Sequence, residues 1–429
     1  MFFFVYNFLL SVFTFTVLPF WAFSLKLKGR SVASYFKGFS LEQTRKVQGK
    51  PVVWVQASSV GETMLAATFL REFRREFPGW AVAFTCTTQT GNETAHRLLK
   101  GVADLIGFFP FDYLWVVRRF IRRLNPRLLV LIETELWPNV LLQARKNGTK
   151  VMIVNGRLGD RSYQRLQKTG FYHSVLKLVD SYCAQSQLDK ERFIALGAPA
   201  ERVRVTGNLK FDQEIKEVDE AKLREFTKPL KLEQGTVVLT AGSTHSGEDE
   251  IILAAFAEIK RQVPQGLLIL APRHLERVES IERLLGNYSF RWIKRSQILE
   301  GEAATDQQDL LLLDTYGELN VAYALSTVVF VGGSLVSVGG HNLLEAALLR
   351  KVVLYGPYMH NFRESEELLA RVGAGFMVRN ETELSQRFLL LAKDTKLRME
   401  LGEKAQTAVL ANKGATKRTI ETLKGLVNR

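Results

Sequence analysis

The chain has 429 residues, 46% hydrophobic and 24% charged, a length that suits two domains with an appendage and a composition that excludes a disordered chain. Its formal charge of +14 is unevenly laid: residues 1–212 hold 30 Lys and Arg against 15 Asp and Glu, whereas the remainder holds 28 against 29. Cys86 and Cys183 lie far apart and match no metal-ligand spacing. With no zinc-finger spacing, aromatic RNA-binding signature or basic tail either, the sequence reads as a reduced protein without a disulfide framework, a metal or a nucleic-acid partner.

From Met1 to Leu25 no side chain is charged, and the run MFFFVYNFLLSVFTFTVLPFWAF is long enough to cross a hydrocarbon core of about 30 Å as a helix. A membrane anchor over 1–25 is expected. No basic stretch precedes the run and no small-x-small site follows it, which argues against a cleaved signal peptide. Lys26, Lys28, Arg30 and Lys37 come next and place the body of the protein on the cytoplasmic side, against anionic headgroups. Pro19 and the short reach also fit a helix that dips into one leaflet.

Short β-branched runs then alternate with helical patterns, which predicts an α/β protein with parallel sheets covered on both faces. Strands are expected at 51–56, 81–86, 128–133, 150–155, 181–185 and 203–207, in a first lobe spanning 26–212. Residues 213–235, with eleven charged side chains and Pro229, read as a linker. Strands at 236–241, 266–272, 309–314, 327–333 and 352–356 define a second lobe over 236–429. Its last stretch, from about Glu383, is helical and suits packing back across the lobes. Neither lobe carries G-x-G-x-x-G after its first strand and no G-x-x-x-x-G-K-[ST] occurs, so dinucleotide oxidoreductase and P-loop readings lose their support.

Ligands of such sheets bind beyond the carboxyl ends of the strands, and two lobes facing each other make a cleft. QASSVGE (Gln56–Glu62) ends the first strand. There Glu62 fits either a capping box with Ser59 or a carboxylate poised to accept a proton from an attacking alcohol. IETELWPN ends another strand, and alternation puts Glu133 and Glu135 on one face; an acid there also fits a cap for the helix before Pro138. In TGNLKFD, Lys210 is either a solvated lysine or a partner for a phosphate or carboxylate. The second lobe is denser. GSTHSGEDE offers Ser243, Thr244, His245 and backbone N–H groups to an anion, and Arg273 of APRH offers a forked donor. TYGEL opens a helix, and FVGGSLVSVGGHNLLEAA brackets a loop between two Gly-Gly pairs before a helix whose N-terminus suits a phosphate and whose Glu345 suits ribose hydroxyls. Arg118, Arg119, Arg122 and Arg123 recur at helical spacing beside Trp115 and Phe120. That pattern fits lipid phosphates or a solvated face. His96, His173 and His360 read as solvated or packing residues.

In order and over nearly the whole chain, the apolar N-terminus, SVGE, IETELWPN, NLKFD, STH-x-GE, PRH, GEL and FVGGSLV-x-x-GGHN-x-LEAA resemble the 3-deoxy-D-manno-octulosonic acid (Kdo) transferase family of lipopolysaccharide biosynthesis. The resemblance implies a GT-B fold of two Rossmann-like domains, and inverting, metal-free transfer of Kdo from CMP-Kdo to lipid IVA at the cell inner membrane, without a cofactor. It also places the general base on Glu62 and transition-state stabilisers on Glu133 and Lys210. The CMP contacts it implies fall on Pro272, Arg273, Tyr316, Gly317, Glu318, Asn342, Leu343, Leu344 and Glu345. Gln56, Ser246 and Tyr316 depart from residues common in the family. Two other readings stand beside this one: a GT-B transferase or epimerase using a UDP-sugar, and a membrane-bound protein that binds nucleotide sugars without turning them over.

Overall fold

A computed structural model describes residues 2–16, 39–169, 173–212, 218–232, 235–301 and 308–427. The chain forms two compact units, residues 1–214 with 412–429, and residues 215–411.

The first unit holds seven parallel strands: β1 (Val52–Ala57), β2 (Ala81–Cys86), β3 (Leu105–Phe108), β4 (Leu128–Ile132), β5 (Lys150–Gly156), β6 (Ser181–Ala184) and β7 (Val203–Val205). Their spatial order is β3-β2-β1-β4-β5-β6-β7. Both faces of the sheet are buried, which is why its strands read as unbroken apolar runs. Trp54, Leu129, Leu131, Val151 and Ile153 enter one core, while Val53, Val55, Val130, Met152 and Val154 enter the other. The final helix, Ala415–Val427, covers the second core with Ala415, Ile420, Leu423 and Val427. Cys86 and Cys183 are both buried and unbridged.

The second unit repeats the plan with β8 (Val237–Thr244), β9 (Gly266–Pro272), β10 (Trp292–Lys294), β11 (Leu310–Leu312), β12 (Val328–Val331), β13 (Val353–Tyr355) and β14 (Gly375–Met377), in the order β10-β11-β9-β8-β12-β13-β14. Residues expected to form a linker belong partly to this unit. Asp219 caps helix Glu220–Thr227, and Phe226 and Leu230 are buried in the core under β9 and β11. The expectation for 213–217 and 233–234 lies outside the described residues.

The anchor expected over 1–25 is described only as helix Phe2–Thr16. Lys26, Lys28, Arg30 and Lys37 lie outside the described residues. Among the described residues no helix is long and apolar enough to cross a membrane. Instead this helix docks by its polar side chains. The Tyr6 hydroxyl donates to Asp112 (2.7 Å), Asn7 and Asn139 exchange amide hydrogen bonds, and Thr14 meets the Tyr113 hydroxyl. Its other face leaves Phe4, Phe8 and Leu9 exposed.

Candidate functional site

Strand order reverses between β1 and β4 in the first unit and between β8 and β12 in the second. Each reversal sends the following connections to opposite sides and opens a crevice at the carboxyl ends of the two strands.

Beyond β1, Ser59 caps helix Val60–Glu76 by accepting from the Glu62 N–H. The Glu62 carboxylate does not complete a capping box on the Ser59 backbone. It accepts instead from the Ser58 N–H (2.7 Å) and the Ser59 hydroxyl (3.0 Å). Burial pushes its carboxyl up to about 7, and the negative charges of Glu133 and Glu135 add to that; the Ser58 and Ser59 hydrogen bonds oppose it. β4 ends at Ile132, so Glu133 and Glu135 are brought here by a turn rather than by strand alternation. Glu133 sits in the left-handed region at φ +60° while its N–H donates to Val154, a conformation costing about 1–3 kcal/mol for a residue of this kind. Its carboxyl is raised by burial and held back by Lys210 and Arg157. Glu135 accepts from the Trp137 indole (2.9 Å) and does not cap the next helix. That role falls to Asp112, which accepts from the Asn139 and Val140 N–H groups.

Lys210 is held through its backbone. Its N–H donates to Asn208, and the adjacent Leu209 N–H donates to Asn155, a second left-handed residue, at the end of β5. Glu62, Glu133, Arg157 and Lys210 thus gather beyond β1, β4, β5 and β7: two carboxyls that resist ionisation and two cations. Such a group can take a proton from a hydroxyl while offering positive charge nearby.

At the second reversal the central side chain is Glu248, fully buried, whose carboxylate accepts from the N–H groups of His245 (2.9 Å), Gly333 (2.6 Å), Ser334 (2.9 Å) and Leu335 (2.8 Å). Two loops are thereby clamped together. Their approach is so close that a Cβ on Gly332 would stand 2.6 Å from the Ser243 carbonyl oxygen. Asp249 accepts from the Thr244 hydroxyl (2.7 Å) and pairs with Arg277. Arg273 projects exposed from the end of β9, and Asn342 donates to Glu345 (3.2 Å), whose carboxyl is raised by burial and moderated by Asn342 and then Arg273.

Two matches bear on ancestry. Residues 34–213 match the family model described as 3-deoxy-D-manno-octulosonic-acid transferase (kdotransferase). A 3-deoxy-D-manno-octulosonic acid transferase of Haemophilus influenzae is 32% identical over 380 residues, covering 88% of this chain and 87% of that one.

The chain belongs to the Kdo transferase family.

A bifunctional glycosyltransferase/methyltransferase of Fusobacterium nucleatum is 36% identical over 333 residues; this chain spans about half the length of that relative, 51%. Among solved structures, the UDP-GlcNAc 2-epimerase of Neisseria meningitidis aligns with a TM-score of 0.59 at 14% identity, over 87% of this chain and 99% of that one. That likeness is one of fold, and it makes the two parallel-sheet units GT-B-like.

Within this family member, residues expected to contact CMP divide by environment. Arg273, Asn342 and Glu345 stand together by charge and hydrogen bond. Pro272, Leu343 and Leu344 are buried, so they offer backbone rather than side chain. Tyr316 is 79% exposed beside Gly317, at φ +88°. Glu318 is already engaged: buried Arg295 grips it through two nitrogens (3.0 and 2.7 Å) and Thr315 donates to it. The helix N-terminus expected near Glu345 is slight, because Leu344–Leu348 is five residues long and carries little dipole. In the same loop the N–H groups of Gly333, Ser334 and Leu335 are taken by Glu248. Arg157 and Asn155 were given no role in the sequence reading, nor were Glu248, His274 and His341, although STH-x-GE, PRH and GGHN contain these three. The signal for Asn155 and Arg157 was available, since they end a strand the pattern had located.

Proposed function

We propose that this protein transfers Kdo from CMP-Kdo to a lipid A precursor, lipid IVA, with inversion at the sugar, and without a metal or cofactor. Glu62 takes the proton of an acceptor hydroxyl while that oxygen attacks the anomeric carbon of Kdo and CMP leaves. Membership of the Kdo transferase family supports the sugar. The observation that carries the mechanism is the Glu62 carboxyl, lifted to about 7 at the β1/β4 reversal, because a general base is most effective when its pKa lies near working pH. Lys210 and Arg157 supply positive charge beside Glu133, and in the second unit Arg273 at the end of β9 offers a forked donor to the phosphate of CMP.

We place the protein on the cytoplasmic face of the inner membrane. Exposed Phe4, Phe8, Leu9 and Trp115 offer apolar anchors, and helix Leu114–Leu124 lines a cavity of about 570 Å³ with Arg118, Arg119, Arg122 and Arg123. This pairing of apolar and basic groups suits an anionic bilayer surface. The deciding experiment is incubation of the purified protein with labelled CMP-Kdo and lipid IVA, read by mass spectrometry of the lipid. A Kdo-lipid product is expected. Transfer from a UDP-sugar instead, or binding of CMP-Kdo without a product, would overturn the proposal.

A further inference from the structure

Three histidines meet at the carboxyl ends of adjacent central strands of the second unit: His245 after β8, His274 after β9 and His341 beyond β12. The Nε2 atoms of His245 and His341 stand 2.8 Å apart, the two rings lie nearly parallel at 13°, and His274 sets its ring edge-on to His245. Gly333, at φ +66°, makes room for the pair, since a Cβ there would lie 3.0 Å from the His341 ring and 3.4 Å from that of His245. The pair therefore occupies the β8/β12 reversal, where a doubly wound sheet binds its ligand.

Two imidazole nitrogens at hydrogen-bond distance hold one proton between them, one donating and the other accepting. In the neutral pair each ring's remaining Nδ1 completes the count: one bears hydrogen and the other is bare. Adding a single proton preserves the central hydrogen bond and turns the bare Nδ1 into a donor, so that the pair presents two N–H groups and one positive charge. A second proton would set two N–H groups against each other. One proton is the limit.

The surroundings keep that proton off until an anion arrives. Burial lowers both rings, His341 to about 4. Positive neighbours act in the same direction, with Arg273 and His274 bearing on both rings and Arg277 on His245. The nearby acids do little to offset them: Glu248 is bound to four backbone N–H groups and Asp249 to Thr244 and Arg277. Glu345 is itself resistant to ionisation. Cationic and potentially cationic groups gathered where the nearby carboxyls are engaged by other donors or resist ionisation are the arrangement expected of a phosphate receptor.

We propose that the His245–His341 pair is an anion-binding subsite for the donor's phosphate, and that it takes up one proton from solvent as a phosphomonoester such as CMP binds. The inference rests on the CMP-Kdo reading above and extends it to the leaving group. Departure of CMP converts a phosphodiester monoanion into a monoester that carries a further negative charge at neutral pH. A receptor that gains one positive charge matches that change.

The test is titration of the full chain with CMP at pH 7.5 in buffers of differing ionisation heat, with cytidine as the phosphate-free control. Free CMP is almost wholly dianionic at this pH, and cations near its phosphate drive protons off it, so any net uptake belongs to the protein. Wild type is expected to take up as much as, and no more than, one proton per CMP and none with cytidine. His341→Asn and, separately, His245→Asn should abolish the uptake and weaken CMP binding about tenfold, as loss of a charge-assisted hydrogen bond does. His274→Asn should keep the uptake. Two independent variants guard against one that fails to fold, and imidazole nitrogen NMR shifts of the six histidines report the protonated rings directly. CMP binding without uptake, uptake that persists in both pair variants, or uptake lost with His274→Asn alone would overturn the subsite while leaving the donor reading intact. Absence of CMP binding in wild type would overturn both.

Discussion

At the scale of single residues, Glu62 carries two consequences that pull in opposite directions. Ionised, it is a base; buried beside Glu133 and Glu135, it resists ionising. We expect kcat/KM for transfer to rise with pH through about 7, and Glu62→Gln to lose roughly 10²–10⁴-fold in kcat while binding CMP as wild type does. A flat pH profile across this range would remove Glu62 from the proton transfer. Stability should move the other way. The folded-state pKa lies above the unfolded value, so the contribution of Glu62 to stability is fully present below about 4.5 and lost as pH rises through about 7. Glu62→Gln should therefore melt higher than wild type at pH 8, by roughly a few degrees, and calorimetry at pH 5 and pH 8 would expose the difference. Sequence alone located this carboxylate because Ser59 and Glu62 obey a local rule. It could not decide between cap and base, since that depends on Glu133 and Lys210, more than 70 positions away. Arg157 follows a strand that the pattern located, but nothing beside it in the sequence says that Glu133 is near.

At the scale of elements, the long central strands and the edge strand β7 were legible, and the other three edges were not. β2 and β9 match the expected runs residue for residue, because burial on both faces demands unbroken apolar sequence. β3, β10 and β14 are three or four residues long and partly exposed, with sequences LIGF, WIK and GFM that lack such a run. The Gly-Gly stretch was read as a loop leading to a helix N-terminus that suits a phosphate; that helix is only five residues long, and the N–H groups of Gly333, Ser334 and Leu335 in the loop are bound by Glu248. Removing that carboxylate should release the loop. Glu248→Ala leaves four backbone N–H groups without their acceptor, at a cost of about 1–3 kcal/mol for each that stays buried. The second unit should consequently unfold at lower temperature, with CMP affinity reduced more than tenfold. Unchanged CMP affinity would show that the clamp does not shape the donor site. The arginine helix makes a separate prediction. Replacing Arg118, Arg119, Arg122 and Arg123 by Gln should weaken co-sedimentation with anionic vesicles by about 1 kcal/mol per arginine at the surface. The loss should be smaller at high salt, where screening already suppresses the attraction.

At the scale of the whole molecule, the chain leaves the first unit after Glu214 and returns to it at Asn412. Helical character near the C-terminus and a return across the lobes were expected from sequence, but the residues that fix the return were not. Ala415, Ile420, Leu423 and Val427 form an apolar stripe that would suit either sheet, and the choice is made by distant partners. Asp212 accepts from the N–H groups of Gly414 (2.6 Å) and Thr416 (2.5 Å), Arg418 donates to the Thr206 carbonyl (2.8 Å), and Lys424 pairs with Glu76. Each fully buried Leu, Ile or Val contributes about 1.5–3 kcal/mol, so the helix supplies several kcal/mol, comparable with the roughly 5–15 kcal/mol that holds a whole domain folded. A chain ending at Ala411 should therefore lose the thermal transition of the first unit, or aggregate through its uncovered core, while the second unit still melts cooperatively and still binds CMP. If both units melted as in the full chain, the last helix would be an accessory rather than a part of the first domain's core. Asp212→Asn gives a graded version: Asp212 takes the two N–H groups on separate oxygens, so the single amide oxygen of Asn keeps one of them, and the loss is a hydrogen bond worth about 0.5–1.5 kcal/mol together with negative charge at the helix N-terminus worth about 0.3–1 kcal/mol. Only the transition of the first unit should shift.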